Sequence, residues 1–152
     1  MSNREDTVAF LKTIGLEYKV YNHNEAKSME ALAAEVTLDH APLIKNLFYK
    51  IRKRFYLILA HMDTKVERGF WSKLKENPKN CRMSTPKYIK SKLGCEPGHV
   101  NPFGLVNDHE KVVTLVIDEK LKDFEYWAFH PMECTALFEL SQKDFAEKFL
   151  TS

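Results

Sequence analysis

The sequence feature that most constrains the fold is an apolar stretch in the middle of the chain, residues 43–63, LIKNLFYKIRKRFYLILAHMD. This stretch predicts two strands joined by a turn near Arg52–Arg54. The second strand, Phe55–Ala60, has almost no polar residue, which is typical of a strand that is buried on both faces. We therefore expect this strand to lie at the centre of a sheet.

Further helices and strands are predicted on both sides of this hairpin. Apolar spacings of three and four residues, with Ser28, Thr85 and Ser141 as N-caps, favour helices at 4–14, 28–36, 66–76, 85–93 and 141–150. Strands are predicted at 17–23, 81–84, 111–121, 125–130 and 135–140, and the Gly- and Pro-rich residues 95–108 are predicted to form a loop. The last three strands have no helices between them. The predicted fold class is therefore α/β (α+β), with helices that flank one mixed, mostly antiparallel β-sheet in a single domain over residues 1–152.

The charge and cysteine content narrow the class of protein. The 23 basic and 21 acidic residues give a formal charge of +2, which neither demands nor excludes a nucleic-acid partner. Three cysteines without a CxxC pair argue against a disulfide framework and a structural zinc site, and favour an intracellular protein. The charged N-terminus and the lack of a run of about 18 apolar residues predict a cytoplasmic protein with no membrane partner.

Lys45 and Asn46 interrupt the first strand of the hairpin. Strand alternation puts Lys45 on the face opposite Ile44 and Asn46 on the same face as Ile44. A lysine in this place either reaches solvent along its alkyl stem or serves as a cation for a phosphate or carboxylate. The pattern alone favours the first interpretation for Lys45, and Asn46 would more often satisfy neighbouring backbone than bind a substrate.

Three further places in the sequence could carry chemistry. His130 ends a strand and precedes Pro131, a natural position for a site residue, although a satisfied, partly buried imidazole is slightly more typical. The loop GHVNP, residues 98–102, either presents backbone N–H groups to a carbonyl or phosphate or is an ordinary connection. Cys134 lies four residues after His130, but a small buried thiol is the commoner role.

The sequence lacks the common motifs of other enzyme classes. The sequence has no GxSxG elbow, no GxGxxG and no P-loop, and its six histidines form no HxH or HxxxH pair. We therefore expect no metal and no cofactor. The basic run of Lys50, Arg52, Lys53 and Arg54 is typical of a solvated hairpin tip, with contact to an RNA backbone as the alternative.

Three motifs together carry a resemblance to a known family. KNLFYK (45–50), PGHVNPFGLVND (97–108) and FHP (129–131) occur in the order seen in the YbaK and prolyl-tRNA synthetase-associated domain family of trans-editing deacylases, and the resemblance covers nearly the whole chain. The motifs most resemble the freestanding Ala-tRNA(Pro) deacylase branch. This resemblance implies one YbaK-like domain, an ester hydrolase that acts on mischarged aminoacyl-tRNA(Pro) without metal or cofactor. It also implies prolyl-tRNA synthetase as a further partner.

The resemblance implies roles for individual residues. Lys45 would hold the phosphate or ribose end of the substrate, the loop from Gly98 to Pro102 would aim N–H groups at the ester carbonyl, and His130 would line the aminoacyl pocket and orient water or ribose. The free ribose hydroxyl would help to activate water in place of a protein triad. The other expected substrate-binding residues are Asn46, His99, Val100, Asn101, Phe103, Gly104, Phe129 and Cys134. The expected tRNA-binding residues are Lys50, Arg52, Lys53 and Arg54.

Departures from the family pattern leave alternatives open. The family segment FHPxxNTAT is FHPMECTAL here, so Cys134 and Leu137 differ from it, and Asn101 stands where serine or threonine is common. These differences leave the aminoacyl group open between alanyl and another small group such as cysteinyl. Two other interpretations are a non-catalytic module that binds tRNA or prolyl-tRNA synthetase on the same fold, and an enzyme that uses the Cys134 thiol.

Overall fold

Helices and strands alternate along the chain, and the computed structural model describes residues 1–152. The helices are α1 Arg4–Thr13, α2 Met29–Glu35, α3 Arg68–Lys73, α4 Pro86–Leu93 and α5 Gln142–Asp144, which continues as a π-helical turn over Phe145–Phe149. The strands are β1 Lys19–Asn22, β2 Ile44–Ile51, β3 Arg54–His61, β4 Arg82–Met83, β5 Val113–Ile117, β6 Tyr126–Phe129 and β7 Ala136–Ser141. Short 3₁₀ turns cover Pro78–Asn80, Pro97–His99, Pro102–Asn107 and Glu119–Asp123. None of the helices has the length and apolar character that a membrane crossing needs.

The strands form two sheets. One has the order β4-β2-β3-β5, in which β3 and β5 are parallel and the other pairs antiparallel, and the second has the order β1-β7-β6 and is antiparallel throughout. The predicted class of helices around mixed, mostly antiparallel β structure is confirmed. The prediction of one sheet is wrong, because β7 uses both of its edges to bond β1 and β6, and no strand of this sheet bonds the other sheet.

The hairpin of β2 and β3 forms the centre of the larger sheet, as the apolar stretch predicts. The strands pair from Ile44 opposite His61 to Ile51 opposite Arg54. Arg52 closes the turn with a φ of 58°, in the left-handed region. Every residue of β3 after Arg54 is at most 8% exposed. Successive side chains of β3 enter two different cores, because alternate residues point to opposite faces of a strand.

The larger of these cores holds 20 buried residues and closes around an aromatic cluster. Phe145 and Phe149 stack with their ring centres 5.3 Å apart, as their spacing of four predicts. They do so on a π-helical turn rather than the continuous α-helix predicted for 141–150. The predicted cap is confirmed, since the Ser141 side chain accepts from the Asp144 N–H at 3.0 Å.

Two other predicted elements differ from those observed. The strand predicted for 111–121 spans only Val113–Ile117, because a buried aspartate lies on each side of it. Asp108 accepts from the N–H groups of Val112 and Val113 before the strand. Asp118 caps the 3₁₀ turn that follows the strand. The segment predicted as a loop, 95–108, contains two proline-initiated 3₁₀ turns. The first of these turns lines a cavity that also borders β2.

Candidate active site

A cavity of about 490 Å³ lies between the first residues of β2, helix α2, the turn at 97–100 and the segment that joins β6 to β7. Six residues proposed from the sequence line it: Lys45, Asn46, Gly98, Val100, His130 and Cys134. The predicted cation, amide loop and imidazole therefore share one hollow. Cavities of roughly 300–1,000 Å³ hold drug-sized ligands, so this one has room for more than an alanyl group alone.

The Lys45 ammonium is anchored on the backbone. Its Nζ donates to the carbonyl of Thr64, in the turn that follows β3. An ammonium group carries three protons, so two of them remain to bind a phosphate or a ribose oxygen. Lys45 is partly buried, so its side chain is neither fully solvated nor fully enclosed by the protein.

Asn46 contributes a polar side chain to the same cavity wall. Its Nδ2 donates to the Ile44 carbonyl at 3.2 Å, while its Oδ1 is buried with no partner in the protein. Buried polar atoms normally have a partner, because an unsatisfied one costs about 1–3 kcal/mol. The side chain therefore satisfies neighbouring backbone, as expected, and its oxygen is left unsatisfied within the wall.

The His130 ring is fixed as a neutral imidazole. Its Nδ1 lies 2.9 Å from the Ala136 carbonyl, and since a carbonyl only accepts, Nδ1 carries a proton, which in the neutral ring leaves the lone pair on Nε2. Desolvation by burial lowers the pKa of His130 below its ordinary value, and nearby His23 and His99 lower it further against the opposing effect of the Ala136 bond. His130 therefore offers an acceptor to the cavity at neutral pH.

The turn at 97–100 has two backbone donors to spare. The turn is closed by the His99 N–H, which donates to the Glu96 carbonyl at 3.0 Å. The N–H groups of Gly98 and Val100 donate to no acceptor of the protein. Backbone donors held in a rigid turn are the groups that polarise a carbonyl or stabilise an oxyanion.

Half of the twelve proposed catalytic and substrate-binding residues lie outside the cavity wall. Phe103 and Phe129 are fully buried and pack edge to face, with ring centres 6.1 Å apart. The Asn101 side chain is also fully buried and donates to the His99 carbonyl at 2.6 Å. The placement of Phe103 and Phe129 as substrate contacts is therefore wrong for this structure, because their side chains face the core. Also absent from the cavity wall are His99, Asn101, Pro102 and Gly104.

Gly104 has a packing reason to be glycine. A Cβ on this residue would lie 2.6 Å from the Leu93 carbonyl oxygen, closer than such atoms approach one another. The second 3₁₀ turn can thus pack against the end of α4 only without a side chain at this position. The second 3₁₀ turn, Pro102–Asn107, contacts α4. The first 3₁₀ turn, which lines the cavity, lies between α4 and the second turn in the sequence.

The basic run lies at the other end of the hairpin. Arg52 and Lys53 form the β2–β3 turn, seven residues along the strand from Lys45, which corresponds to about 23 Å. Arg54 pairs with Glu76 at 3.0 Å, and the Lys50 ammonium lies 4.5 Å from the centre of the Tyr88 ring. None of these four side chains reaches the cavity, so any role in binding is separate from it.

Sequence reasoning missed two parts of the site. The first is the wall from Glu25 to Leu32, in which α2 covers one side of the cavity. The sequence predicted this helix from Ser28, but nothing local says which surface a short helix covers. The second is the Thr64 carbonyl, because a backbone oxygen carries no signature in the sequence.

Together, these groups define a class of site: a cleft in an α+β domain that presents a cation, free amide donors and a neutral imidazole, with no nucleophile activated by a neighbouring base. Such a cleft suits an acyl ester bound for attack by water. The chain belongs to the aminoacyl-tRNA editing domain family, whose model matches residues 23–148.

Individual relatives agree with this membership. The chain is 28% identical to prolyl-tRNA synthetase associated domain-containing protein 1 of Danio rerio, over 93% of this chain and 78% of that protein. It is 25% identical to prolyl-tRNA editing protein ProX of Acetoanaerobium sticklandii, over 95% of this chain and 88% of that protein. The fold is similar to the crystal structure of a candidate trans-editing enzyme for prolyl tRNA synthetase, with a TM-score of 0.70, 20% identity, and coverage of 98% of this chain and 94% of that one.

Proposed function

We propose that this protein hydrolyses the ester bond of mischarged aminoacyl-tRNA(Pro) in trans, with Ala-tRNA(Pro) as its preferred substrate. The observation that carries the proposal is the shared cavity of Lys45, the Gly98 and Val100 amides and His130. Two similar proteins, one named for the prolyl-tRNA synthetase and one for prolyl-tRNA editing, support the choice of tRNA(Pro). The setting is the cytoplasm, where prolyl-tRNA synthetase would supply the mischarged substrate.

The chemistry follows from the groups on the cavity wall. The free amides of Gly98 and Val100 would donate to the ester carbonyl, and Lys45 would hold a phosphate or ribose oxygen of the terminal nucleotide. Water adds to the carbonyl carbon, the bond to the ribose oxygen breaks, and a proton from the water ends on that oxygen. The products are the free amino acid and tRNA with an intact terminal hydroxyl.

His130 would act as an acceptor in this reaction. Its Nε2 lone pair can receive a hydrogen bond from the attacking water or from the free ribose hydroxyl. An aminoacyl ester is already reactive, so orientation and polarisation of the carbonyl suffice without a protein nucleophile. Cys134 lines the cavity as a free thiol, and the nearby His130 bonds the Ala136 carbonyl instead of this thiol. The proposed role of Cys134 is to shape the wall.

Selection of the amino acid would depend on the apolar part of the wall, which includes Leu32, Ala128 and Leu137. A synthetase site gains only about 1–3 kcal/mol from the methylenes that alanine lacks, so a second site that admits the smaller group is needed to remove the error. Cys134 replaces the family's usual asparagine in this wall. Cysteinyl esters are therefore the alternative substrate to compare with alanyl esters.

The test is a deacylation panel on tRNA(Pro) carrying alanyl, cysteinyl, seryl or prolyl esters. We expect the alanyl ester to be hydrolysed and the prolyl ester to be spared. Lys45→Ala removes a charge-assisted hydrogen bond worth about 1.5–3 kcal/mol, so its kcat/KM should fall about 10- to 150-fold. Lys12→Ala, on the exposed surface of α1, is the matched control and should behave as the wild type.

Binding without turnover would contradict the proposal. If the purified protein shifts tRNA(Pro) in a gel but hydrolyses no ester above the spontaneous rate, the chain is a binding module and not a deacylase. Full activity in folded Lys45→Ala would contradict the assignment of the site while leaving the activity intact.

A further inference from the structure

The anchor of Lys45 depends on a turn whose first residue, His61, is bound by a buried carboxylate. Thr64 ends the tight turn after β3, in which the Thr64 N–H donates to the His61 carbonyl at 2.9 Å. This turn positions the Thr64 carbonyl, which accepts from the Lys45 ammonium. The location of the ammonium in the cavity is therefore set by the conformation of residues 61–64.

Asp118 binds this turn from the end of the neighbouring strand, β5. One of its oxygens accepts from the His61 N–H at 3.0 Å, and the other accepts from the Lys120 N–H at 3.1 Å. Asp118 is only 9% exposed. A carboxylate just after β5 thus reaches the last residue of β3, where the turn that holds Lys45 begins.

These bonds matter because the turn borders a second cavity. Thr64 and Asp118 both line this cavity, which has a volume of about 480 Å³. Burial alone would raise the pKa of Asp118, but the nearby Thr64 side chain and the bonds from the His61 and Lys120 N–H groups outweigh this effect and keep the pKa below its ordinary value. The carboxylate is therefore ionised at neutral pH and able to accept all of these hydrogen bonds.

We propose that Asp118 is a positioning residue for Lys45, which it places in the active-site cavity through the His61–Thr64 turn and the Thr64 carbonyl. This inference rests on the proposed deacylase function for its catalytic consequence. Asp118 touches no substrate group itself. Its removal would leave the His61 N–H without its acceptor and free the turn to move toward the second cavity, carrying the Lys45 anchor with it.

The first experiment is a double-mutant cycle on deacylation, with Lys45→Ala and Asp118→Ala made singly and together. A misplacement of about 1 Å can lower a rate about 100-fold, so we expect Asp118→Ala to lower kcat/KM by about 10- to 100-fold. In the Lys45→Ala background the same change should have almost no further effect, since the group that it positions is already absent. Enzyme in excess over substrate makes the residual rates measurable.

Asp108 provides a matched control. It is a buried carboxylate, 5% exposed, that performs the same structural task at the other end of β5, where it accepts from the N–H groups of Val112 at 3.1 Å and Val113 at 2.9 Å. Asp108→Ala should destabilise the protein by a similar amount and leave kcat/KM of the folded protein unchanged. Equal losses of activity in the Asp108 and Asp118 variants, or losses that multiply in the double mutant, would overturn the inference.

A second measurement does not depend on turnover. The rate at which an N-hydroxysuccinimide ester acylates Lys45, followed by mass spectrometry of the folded protein, reports how firmly the ammonium is held. We expect faster labelling of Lys45 in Asp118→Ala than in the wild type, and no change in Asp108→Ala. If the wild type hydrolyses no ester, the proposed function fails and this labelling still tests the anchor. Unchanged labelling would refute it.

A milder variant covers the case in which Asp118→Ala does not fold. Asp118→Asn removes the charge but keeps one side-chain oxygen that can accept from the His61 or the Lys120 N–H. It should accelerate Lys45 labelling by a smaller factor than removal of the whole carboxylate. A folded Asp118→Asn protein with wild-type labelling and wild-type kcat/KM would overturn the proposed connection.

Discussion

Substitution of Gly104 by alanine separates a packing role for this motif glycine from a substrate-binding role. The added Cβ would lie 2.6 Å from the Leu93 carbonyl oxygen, 3.0 Å from the Leu93 Cβ and 3.1 Å from the Cys95 Sγ. The closest of these atoms belongs to the backbone, which cannot rotate away as a flexible side chain can. The second 3₁₀ turn and the end of α4 must therefore move apart.

The magnitude follows from this overlap. Overpacking in a core typically costs about 1–3 kcal/mol. For a chain of about 150 residues, each kcal/mol lowers the Tm by about 2–4 °C, so we expect a decrease of about 2–12 °C in Gly104→Ala. Gly69→Ala is the control, because its Cβ would meet nothing within 4 Å. Alanine in place of that helical glycine should stabilise the protein by about 0.5–1 kcal/mol.

The assay is thermal unfolding of both variants, followed by deacylation of Ala-tRNA(Pro) well below the lower Tm. A packing role predicts a lowered Tm in Gly104→Ala with activity retained by the folded protein. A Gly104→Ala protein that melts with the wild type but hydrolyses no ester would refute this reasoning and return Gly104 to the residues that bind substrate.

Three further predictions follow from the site and its surroundings. First, burial lowers the pKa of His130 below its ordinary 6.5, so its Nε2 stays unprotonated at higher pH; kcat/KM, corrected for spontaneous hydrolysis, should lose this acceptor only as the pH falls below 6.5, and a decline centred above 6.5 would exclude the role. Second, Arg52→Ala and Lys53→Ala should weaken tRNA binding and reduce the slope of log K against log salt by about 0.7–0.9 for each phosphate that the variant no longer neutralises, with the rate at saturating tRNA unchanged; an unchanged slope would show that the hairpin tip is merely solvated. Third, Cys134→Ser should keep most of the deacylation activity, because the thiol shapes the wall without attacking the ester; abolished activity in a folded Cys134→Ser protein would favour the thiol enzyme.

The sequence could predict elements whose signals are local. The central strand follows from its unbroken apolar run, and the starts of α2 and the C-terminal helix follow from the predicted N-caps Ser28 and Ser141. Their side chains accept from the N–H groups of Ala31 and Asp144, respectively. The division into two sheets could not be predicted, because it depends on β1 finding β7 across most of the chain. Such a pairing has no local pattern.

The candidate site could be predicted in part. Lys45, Asn46, Gly98, Val100, His130 and Cys134 come together as the motifs indicate. The motif could not separate the glycine that faces the cavity from Gly104, which packs against α4, because close backbone approach selects glycine in both cases. Thr64 and Asp118 escaped prediction for a different reason: one acts through its backbone oxygen, and the other lies far from Lys45 in sequence.

The pairing of β1 with β7 has a consequence for how the nascent chain is made. β1 ends at Asn22 and its partner begins at Ala136, so the ribosome must add the intervening residues before the smaller sheet can close. At about 5–20 residues per second, this takes about 6–23 seconds. During that time Val20 and Tyr21 have no strand to bond, and the His130 ring, once made, has no carbonyl to bond until Ala136 follows it. A newly made chain therefore acquires its imidazole geometry only after residue 136 has been added.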